Sequence, residues 1–229
     1  NRILIDPKKQ KLLIGQSDEE ILKVISDFSP DIVAISVLFS NFLDAAHNVA
    51  RLVKKVNKTI KVILGGNHIT NAVLDYKFSL VDKNSNLPDA IEDLDNENFD
   101  FALVGEGEMP MIQLVDAIMN GGNYDKVPGL VKKIGYKKYF INPKNERHDM
   151  NLLPKPARHL VNMEGYFKIG AFQSAKSRSK RVLSVMTSRG CPEKCTFCTT
   201  PQMWGQTARW RSTKHVMNEI SNDVKDYKI

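Results

Sequence analysis

Residues 182–198 decide the fold, and they run Val182-Leu-Ser-Val-Met-Thr187, then Ser188-Arg-Gly190, then Cys191-Pro-Glu-Lys-Cys195-Thr-Phe-Cys198. The first part is an apolar run of strand length, the second predicts a turn, and the third holds all three cysteines of the chain. Three thiolates at this spacing can converge on one soft metal centre, such as an iron–sulfur cluster, zinc or copper(I). A [4Fe–4S] cube normally takes four cysteines, so three would leave one iron open to a further ligand.

The signature Ser188-Arg-Gly-Cys191-Pro-x-x-Cys195-x-Phe-Cys198 resembles that of the radical S-adenosylmethionine (radical SAM) superfamily. The resemblance implies that Cys191, Cys195 and Cys198 bind a [4Fe–4S] cluster whose fourth iron takes the amino and carboxylate groups of S-adenosylmethionine. Electron transfer into the sulfonium would release a 5′-deoxyadenosyl radical, with an external donor of the flavodoxin or ferredoxin type supplying the electron. Phe197 would pack near the adenine. No catalytic residue is assigned beyond the cluster ligands.

Three other interpretations of the cysteines compete with an iron–sulfur cluster. A disulfide would leave an odd cysteine, and no signal peptide indicates an oxidising compartment. Zinc would need a fourth ligand, and the nearest downstream histidine, His215, lies far from the usual short spacing. Buried, unreactive cysteines rarely cluster in this way. The motif therefore favours the cluster over these three interpretations.

The bulk properties are those of a globular protein of 229 residues, long enough for one large or two small domains. No stretch approaches about 18 consecutive apolar residues, so we expect no transmembrane helix. The net charge of +7 is locally concentrated at Lys176–Arg181. Because no aromatic residues interleave with that stretch, a solvated basic linker is favoured over a nucleic acid contact. We expect a reducing, cytoplasmic setting, and an anaerobic cell would suit an oxygen-sensitive cluster.

The two ends of the sequence predict that the chain is a fragment. Asn1 is not a methionine and leads at once into the apolar run Ile3–Ile5, which predicts a strand already inside a domain. The other end predicts a helix stopping near Ile229. The resemblance implies that a later glycine-rich strand completing the S-adenosylmethionine site lies beyond Ile229, so the fragment alone should be inactive.

Residues 1–150 alternate strand and helix signals, which predicts an α/β domain with a doubly wound, flavodoxin-like or Rossmann-like parallel sheet. A capping box at Ser17–Glu20 opens a helix that ends near Phe28. The strand Ile32–Ser36 is apolar on both faces, as in a parallel sheet covered by helices. The other predicted elements are strands at 60–64 and 99–104, helices at 41–57 and 111–119, and a hairpin over 129–141.

The apolar residues of the helix over 41–57 recur at helical spacing, which predicts the stripe that it buries. His47 falls outside that stripe, so we expect a solvated surface residue rather than a ligand. The stripe consists of Phe42, Ala45, Ala46, Val49, Leu52, Val53 and Val56.

The remainder of the chain divides into a linker and a second domain. We assign no function to the polar segment 79–98, in which residues 88–94 could form one or two turns of helix. The periodicity weakens over 151–180, where Leu153-Pro-Lys-Pro156 predicts a stiff linker. Residues 181–229 predict the first βα unit of a second domain, with Ser212 capping the closing helix and with Val216 and Ile220 facing inward. By the resemblance, this unit begins a radical SAM partial TIM barrel.

Three groups of residues follow strands of the first domain, where parallel sheets bind ligands. They are Ser36-Val-Leu38, Gly65-Gly66-Asn-His68 and Gly105-Glu106-Gly107-Glu108. Ser36 offers a hydroxyl group, and Gly65 and Gly66 would let a bulky ligand approach the backbone. Glycine pairs at strand ends are more often simple turns, so each group alone is a weak signal.

Together and in this order, the three groups resemble the cobalamin-binding domain that is fused in front of many radical SAM domains. Ser36 and Leu38 match the serine–leucine signature of that family, Gly65 and Gly66 match its glycine pair, and Gly105, Glu106 and Gly107 lie in a segment common in the fused group. The resemblance implies that these residues bind cobalamin. It makes 1–150 the cobalamin-binding-like domain, 151–180 the linker and 181–229 the start of the radical SAM domain.

The chain departs from the cobalamin-binding pattern at the cobalt ligand. Some family members carry an Asp-x-His-x-x-Gly loop whose histidine ligates cobalt, and this motif is absent here. The lower axial ligand therefore stays open. His68 lies close to the glycine pair, where a loop histidine hydrogen-bonded to the backbone is the favoured interpretation and a cobalt ligand the alternative.

The resemblance implies a cobalamin-dependent radical SAM methyltransferase that acts on an unactivated carbon of a small molecule. Two alternatives stay open: a cyclase or rearrangement enzyme of the oxygen-independent porphyrin cyclase type, and a non-catalytic iron–sulfur or cobalamin-binding module. A methylthiotransferase would use further cysteines in the first domain, and residues 1–190 contain none.

Overall fold

The computed structural model describes residues 2–6, 11–81, 94–143, 147–169, 179 and 181–229. The predicted turn or two of helix over 88–94 lies almost entirely outside these residues, as does most of the basic stretch at 176–181. The chain forms two compact units. The sheet unit comprises Ser17–Arg147 and Phe197–Trp204, and the hairpin unit comprises Asn1–Gln16, His148–Thr196 and Gly205–Ile229.

The sheet unit contains a five-stranded sheet with the strands in chain order. Its first three strands, β3 (Ile32–Ser36), β4 (Lys61–Gly65) and β5 (Phe101–Leu103), are parallel. The predicted hairpin, β6 (Leu130–Gly135) and β7 (Lys138–Ile141), extends this sheet antiparallel. The predicted parallel sheet is therefore confirmed over three strands, and the complete sheet is mixed.

Helices cover both faces of the sheet, as the doubly wound fold predicts. They are α1 (Asp18–Phe28), α2 (Leu43–Val56), α3 (Asn67–Val81) and α4 (Glu108–Met119). Side chains alternate along β4, so Val62 packs with α1 and α2 on one face while Ile63 packs with Leu114 of α4 on the other. The capping box that opens α1 is confirmed, with Ser17 and Glu20 each accepting the other's backbone N–H.

Of the two sequence expectations for α2, the buried stripe is confirmed in part and the solvated His47 is wrong. Ala46, Leu52 and Val53 of the stripe are buried, as is Ala50, whereas Phe42, Ala45 and Val56 are exposed. Phe42 belongs to a preceding 3₁₀ turn, Ser40–Phe42, so it does not share the phase of the helix. His47 is half-buried rather than solvated, because its ring packs on Phe99 at 5.2 Å between centroids.

The hairpin unit contains two antiparallel pairs of strands: β1 (Arg2–Asp6) with β2 (Lys11–Gly15), and β8 (Ser188–Arg189) with β9 (Arg209–Trp210). Its helices are α5 (Met163–Ile169) and α7 (Thr213–Tyr227), while the short α6 (Thr200–Trp204) belongs to the sheet unit. The predicted N-cap of α7 is confirmed, because the Ser212 hydroxyl accepts the backbone N–H of His215. The strand predicted over 182–187 is wrong. These residues have no strand partner within the described chain, and the ladder instead contains Ser188 and Arg189, which were predicted as part of a turn.

Residues 148–160 contact α7 directly and are more than a free connection. Asn151 accepts the backbone N–H of Ser212 at 2.7 Å, and the guanidinium group of Arg158 reaches Glu219 at 3.1 Å. The inward face of α7 also differs from expectation. Glu219 and Asp223 are its buried residues, whereas Val216 and Ile220 are half-buried. No helix of the described residues is both long and apolar enough to cross a membrane.

Candidate functional site

The structure brings the three predicted groups of the first domain to one edge of the sheet. Ser36 lies opposite Gly65 in the β3–β4 register, and Leu64 lies opposite Ala102 in the β4–β5 register. Because all three strands run parallel, the residues that follow them, including Leu38, Gly66 and Gly105, emerge at the same end. The sequence prediction that these loops are neighbours is therefore met by the geometry.

Gly66 is required by the protein itself rather than by a ligand. Its φ is +96°, and an added Cβ would lie 2.6 Å from the carbonyl oxygen of Val37. The backbone hydrogen bonds from Val37 N to Gly65 O and from His68 N to Val37 O lock the two loops together here. Gly65 is less constrained, since its nearest potential contact is the Leu103 carbonyl at 3.6 Å. The expectation that both glycines leave room for a ligand therefore needs revision at Gly66.

Thr70 is a site residue that the sequence prediction missed. It lies on α3, it is buried, and its hydroxyl donates to the carbonyl of Gly66 at 3.0 Å. The same hydroxyl accepts the backbone N–H of Gly105 at 3.1 Å. One side chain thus joins the glycine pair to the Gly105–Gly107 loop. The sequence feature that could have identified this residue is a threonine one helical turn after Gly66.

Open space and apolar surface border these loops. A Cβ added to Gly107 would meet nothing within 4 Å. Leu38 is 48% exposed beside the exposed Ser36, and the rings of Phe39 and Phe42 pack edge to face with centroids 6.0 Å apart. Exposed apolar side chains beside glycine loops and an exposed hydroxyl fit a large, partly apolar ligand. Glu106 is half-buried in the same loop.

His68 lies in the first turn of α3 rather than in a loop. Its backbone N–H donates to the Val37 carbonyl, and its imidazole Nδ1 lies 3.0 Å from the Ser40 hydroxyl. The imidazole is therefore oriented by a side chain of the neighbouring loop. Its role as a cobalt ligand stays an alternative prediction.

The start of the cysteine loop is fixed in the hairpin unit. Gly190 has a φ of +97°, and an added Cβ would overlap the backbone of Thr207. The next residue, Cys191, donates its backbone N–H to the Gly205 carbonyl at 2.9 Å. These contacts explain why a glycine precedes the first cysteine, because any side chain there would separate the two chain segments.

All three cysteines are free thiols, so the structure contains no disulfide among them. Cys195 is exposed, and Cys191 and Cys198 are half-buried. The hydroxyl and the backbone N–H of Thr200 lower the pKa of the Cys198 thiol, which favours the thiolate form that binds metals. Phe197, predicted to lie near adenine, is 88% exposed. Within the described part of the chain no three carboxylate, imidazole or thiol side chains are gathered as a metal site, so the ligand roles stay predictions.

A family model for the B12 binding domain matches residues 8–83. Along nearly the whole chain, the sequence is similar to two curated proteins. Cytidylyl-2-hydroxyethylphosphonate methyltransferase of Streptomyces wedmorensis is 32% identical over 98% of this chain and 43% of its own length. Anaerobic magnesium-protoporphyrin IX monomethyl ester cyclase of Rubrivivax gelatinosus is 27% identical over 93% of this chain and 34% of its own length. The chain thus spans less than half the length of either relative.

The fold has a close match among solved structures. The cobalamin-dependent S-adenosylmethionine radical enzyme OxsB, with aqua-cobalamin and S-adenosylmethionine bound, aligns with a TM-score of 0.67 and 18% identity. The alignment covers 94% of this chain and 26% of OxsB. This likeness supports the fold, and the sequence matches support the kinship. By sequence and by fold, the chain therefore resembles radical SAM proteins that contain a cobalamin-binding domain.

Proposed function

We propose that the full-length protein is a cobalamin-dependent radical SAM enzyme that methylates an unactivated carbon of a small molecule. One observation carries the proposal: a B12-binding match over 8–83 and a three-cysteine radical SAM motif at 191–198 occur in the same chain. Two such cofactor sites in one polypeptide serve to hold reactive groups close together. An external low-potential electron donor would complete the system.

The residues present fit both cofactors chemically. Cys191, Cys195 and Cys198 are free thiols, and Thr200 favours ionisation of the third. They would hold three irons of a [4Fe–4S] cluster, leaving one iron for S-adenosylmethionine. The cobalamin would lie at the carboxyl edge of β3–β5, against Ser36, Leu38, Gly65, Gly66, Gly105, Glu106 and Gly107. When bound, the two cofactors would supply a transferable methyl group and a radical that abstracts hydrogen.

The protein's own contribution is positioning. Thr70 holds two of the loops in one arrangement before any ligand arrives. Such preorganisation lowers the entropy that binding must overcome. The apolar side chains of Leu38, Phe39 and Phe42 would exclude water from one side of a bound macrocycle, because each already exposes substantial apolar surface beside the loops. Gly107 would leave a gap where the ligand can approach the backbone.

Methyl transfer is preferred over ring closure because the relative with the higher identity is a methyltransferase, at 32% against 27% for the cyclase. The two reactions differ in their products. Methylation adds one carbon from S-adenosylmethionine to the substrate, whereas cyclisation rearranges the substrate's own atoms. A methyl-labelled S-adenosylmethionine therefore separates them by mass spectrometry once a substrate is known.

A test that needs no substrate uses reductive cleavage of S-adenosylmethionine. The full-length protein would be reconstituted anaerobically, reduced, and assayed for 5′-deoxyadenosine and S-adenosylhomocysteine. We expect both products from the wild type, in which cobalamin would accept the methyl group lost when S-adenosylhomocysteine forms. We expect no 5′-deoxyadenosine from Cys195→Ala, which loses one cluster ligand. A wild type that binds its cofactors and yields neither product would contradict the enzyme and indicate a binding module.

A further inference from the structure

Helix α7 buries two carboxylates where an amphipathic helix would bury apolar groups. Glu219 is 1% exposed and Asp223 is 5% exposed. Carboxylates are almost never this buried unless they are paired, because removing a charge from water is costly. Their partners therefore have to be identified within the hairpin unit.

Arg158 and Arg211 supply the compensating charge. Arg211 contacts Oε2 of Glu219 at 2.5 Å, and Arg158 contacts Oε1 of Glu219 at 3.1 Å and Oδ2 of Asp223 at 3.2 Å. We call these four residues the buried charge network. Burial alone would raise the pKa of Glu219, but hydrogen bonds from Arg211 and Arg158 outweigh it and hold the pKa below its usual value. Burial raises the pKa of Asp223, whose pairing is weaker.

Both arginines also bind the backbone of the segment that leads to the cysteine loop. Arg158 donates to the Ser184 carbonyl at 2.9 Å, and Arg211 donates from its guanidinium to the Met186 carbonyl at 2.8 Å. The backbone N–H of Arg211 donates to the Thr187 carbonyl at 2.9 Å. Residues 182–187 have no strand partner in the described chain, so these arginine contacts take the place of a ladder.

A purely stabilising role explains this arrangement poorly. Replacing a buried ion pair by apolar side chains of similar volume is often neutral or stabilising, so such pairs are weak evidence for a contribution to stability. The fork of an arginine can bind a carboxylate and a carbonyl together, whereas the single ammonium of a lysine is a point charge. In the buried charge network each arginine binds both a carboxylate and a carbonyl. The two carbonyls, of Ser184 and Met186, belong to alternate residues of one segment.

We infer that Glu219 is a positioning residue, which holds Arg158 and Arg211 against the carbonyls of Ser184 and Met186 and so fixes where the cysteine loop begins. The network anchors the chain before β8, and the bond from Cys191 to Gly205 anchors it after β8. The expected effect of this anchoring on the iron–sulfur cluster rests on the proposed function. Its expected effect on the backbone of 184–191 is independent of the proposed function.

The test compares Arg158→Lys and Arg211→Lys with the wild type in the full-length protein. Both substitutions keep the charge balance, unlike Glu219→Ala, which would take the carboxylate from Arg211 and leave Arg158 with Asp223 alone. Arg181→Lys is the matched control. Arg181 also joins a carboxylate, Glu164, to a carbonyl, that of Tyr227, but touches neither Ser184 nor Met186.

Two measurements decide the inference. In cluster-free protein, hydrogen exchange of the backbone amides of residues 191 and 211, which bind the Gly205 and Thr187 carbonyls, should be about tenfold faster in Arg158→Lys and Arg211→Lys than in the wild type or Arg181→Lys. In reconstituted protein, the same two variants should lose iron faster and show an altered electron paramagnetic resonance spectrum of the reduced cluster. Unchanged exchange would overturn the inference. A wild type that takes up no iron would instead contradict the proposed function, and the exchange result would still decide the inference.

Discussion

The Thr70 hydroxyl joins the carbonyl of Gly66 to the backbone N–H of Gly105, residues that follow two adjacent parallel strands. Two loops that a ligand would touch are thus held by one buried oxygen. This contact makes α3, rather than the loops themselves, the element that sets the shape of the candidate cobalamin site.

Thr70→Val keeps the shape of the side chain and removes the hydroxyl. We expect a loss of about 1–3 kcal/mol in the free energy of unfolding, because the half-buried N–H of Gly105 loses its partner and the Gly66 carbonyl keeps only the backbone N–H of Thr70. Retention of cobalamin after desalting should fall as well. Denaturant titration and cobalamin absorbance measure the two effects. Thr70→Ser is the control and should retain both properties; a valine variant that binds cobalamin like the wild type would refute the role of Thr70.

Gly66→Ala and Gly65→Ala should differ although the residues are neighbours. The alanine Cβ at 66 would lie 2.6 Å from the Val37 carbonyl at a φ of +96°, whereas at 65 the nearest atom is 3.6 Å away. We expect Gly66→Ala to lower the free energy of unfolding by roughly 2–4 kcal/mol and Gly65→Ala by less than about 1 kcal/mol. Thermal unfolding of both variants provides the measurement. Equal losses would show that the Val37 contact does not constrain this loop.

Gly107→Ala separates ligand binding from stability. The new methyl group meets no protein atom within 4 Å, and the φ of −90° suits any residue. We expect the free energy of unfolding to change by less than about 0.5 kcal/mol. If the gap holds cobalamin, its affinity should fall about tenfold, since the methyl group would overpack the site. Equilibrium binding of hydroxocobalamin measures this, and unaltered affinity would place the ligand elsewhere.

Gly190→Ala should disturb the cysteine loop. The added Cβ would overlap the backbone of Thr207, so β8 and β9 cannot keep their pairing. We expect reconstituted Gly190→Ala to hold much less iron than the wild type while cobalamin retention, which depends on the sheet unit, stays unchanged. Iron and cobalt analyses of one sample report both. Wild-type iron content in this variant would show that the loop tolerates a displaced Cys191.

Asp100 makes the sheet unit sensitive to acid. Burial alone would raise the pKa of Asp100, but hydrogen bonds from Lys54, Val62 and Lys61 outweigh it and hold the pKa below its ordinary value. A carboxylate with a lowered pKa stabilises the fold above its unfolded pKa, and that stabilisation is lost as the pH falls through the folded pKa. Asp100→Asn should therefore cost about 1–3 kcal/mol at neutral pH, with the deficit shrinking below about pH 4. Urea titrations at several pH values measure the deficit, and a deficit that is independent of pH would exclude this cause.

Local signals in the sequence predicted much of the fold. The capping box at Ser17 and Glu20, the apolar strand Ile32–Ser36 and the hairpin around Gly135 each depend on short-range chemistry, and each is found in the structure. The strand-end loops were predicted as neighbours because parallel strands share an edge. Short sequence patterns are thus sufficient to predict the helices and strands and their order along the chain.

Contacts between distant residues could not be predicted in the same way. Helical spacing placed Val216 and Ile220 inward, but Glu219 is the buried residue, because Arg158, far away in sequence, pairs with it. Thr70 was missed because its two partners are backbone groups, and its one sequence signal, a position one helical turn after Gly66, does not identify them. The reason that Gly66 must be glycine also lies in a backbone contact, with Val37.

The proposed function requires one protein to hold both an iron–sulfur cluster and cobalamin. The most direct test reconstitutes the full-length protein anaerobically with iron, sulfide and hydroxocobalamin, desalts it, and records its visible spectrum together with its iron and cobalt content. We expect stoichiometric cobalamin beside an iron–sulfur chromophore, with cobalamin band positions that report whether a nitrogen such as that of His68 ligates cobalt. An iron–sulfur spectrum without retained cobalamin would contradict the account.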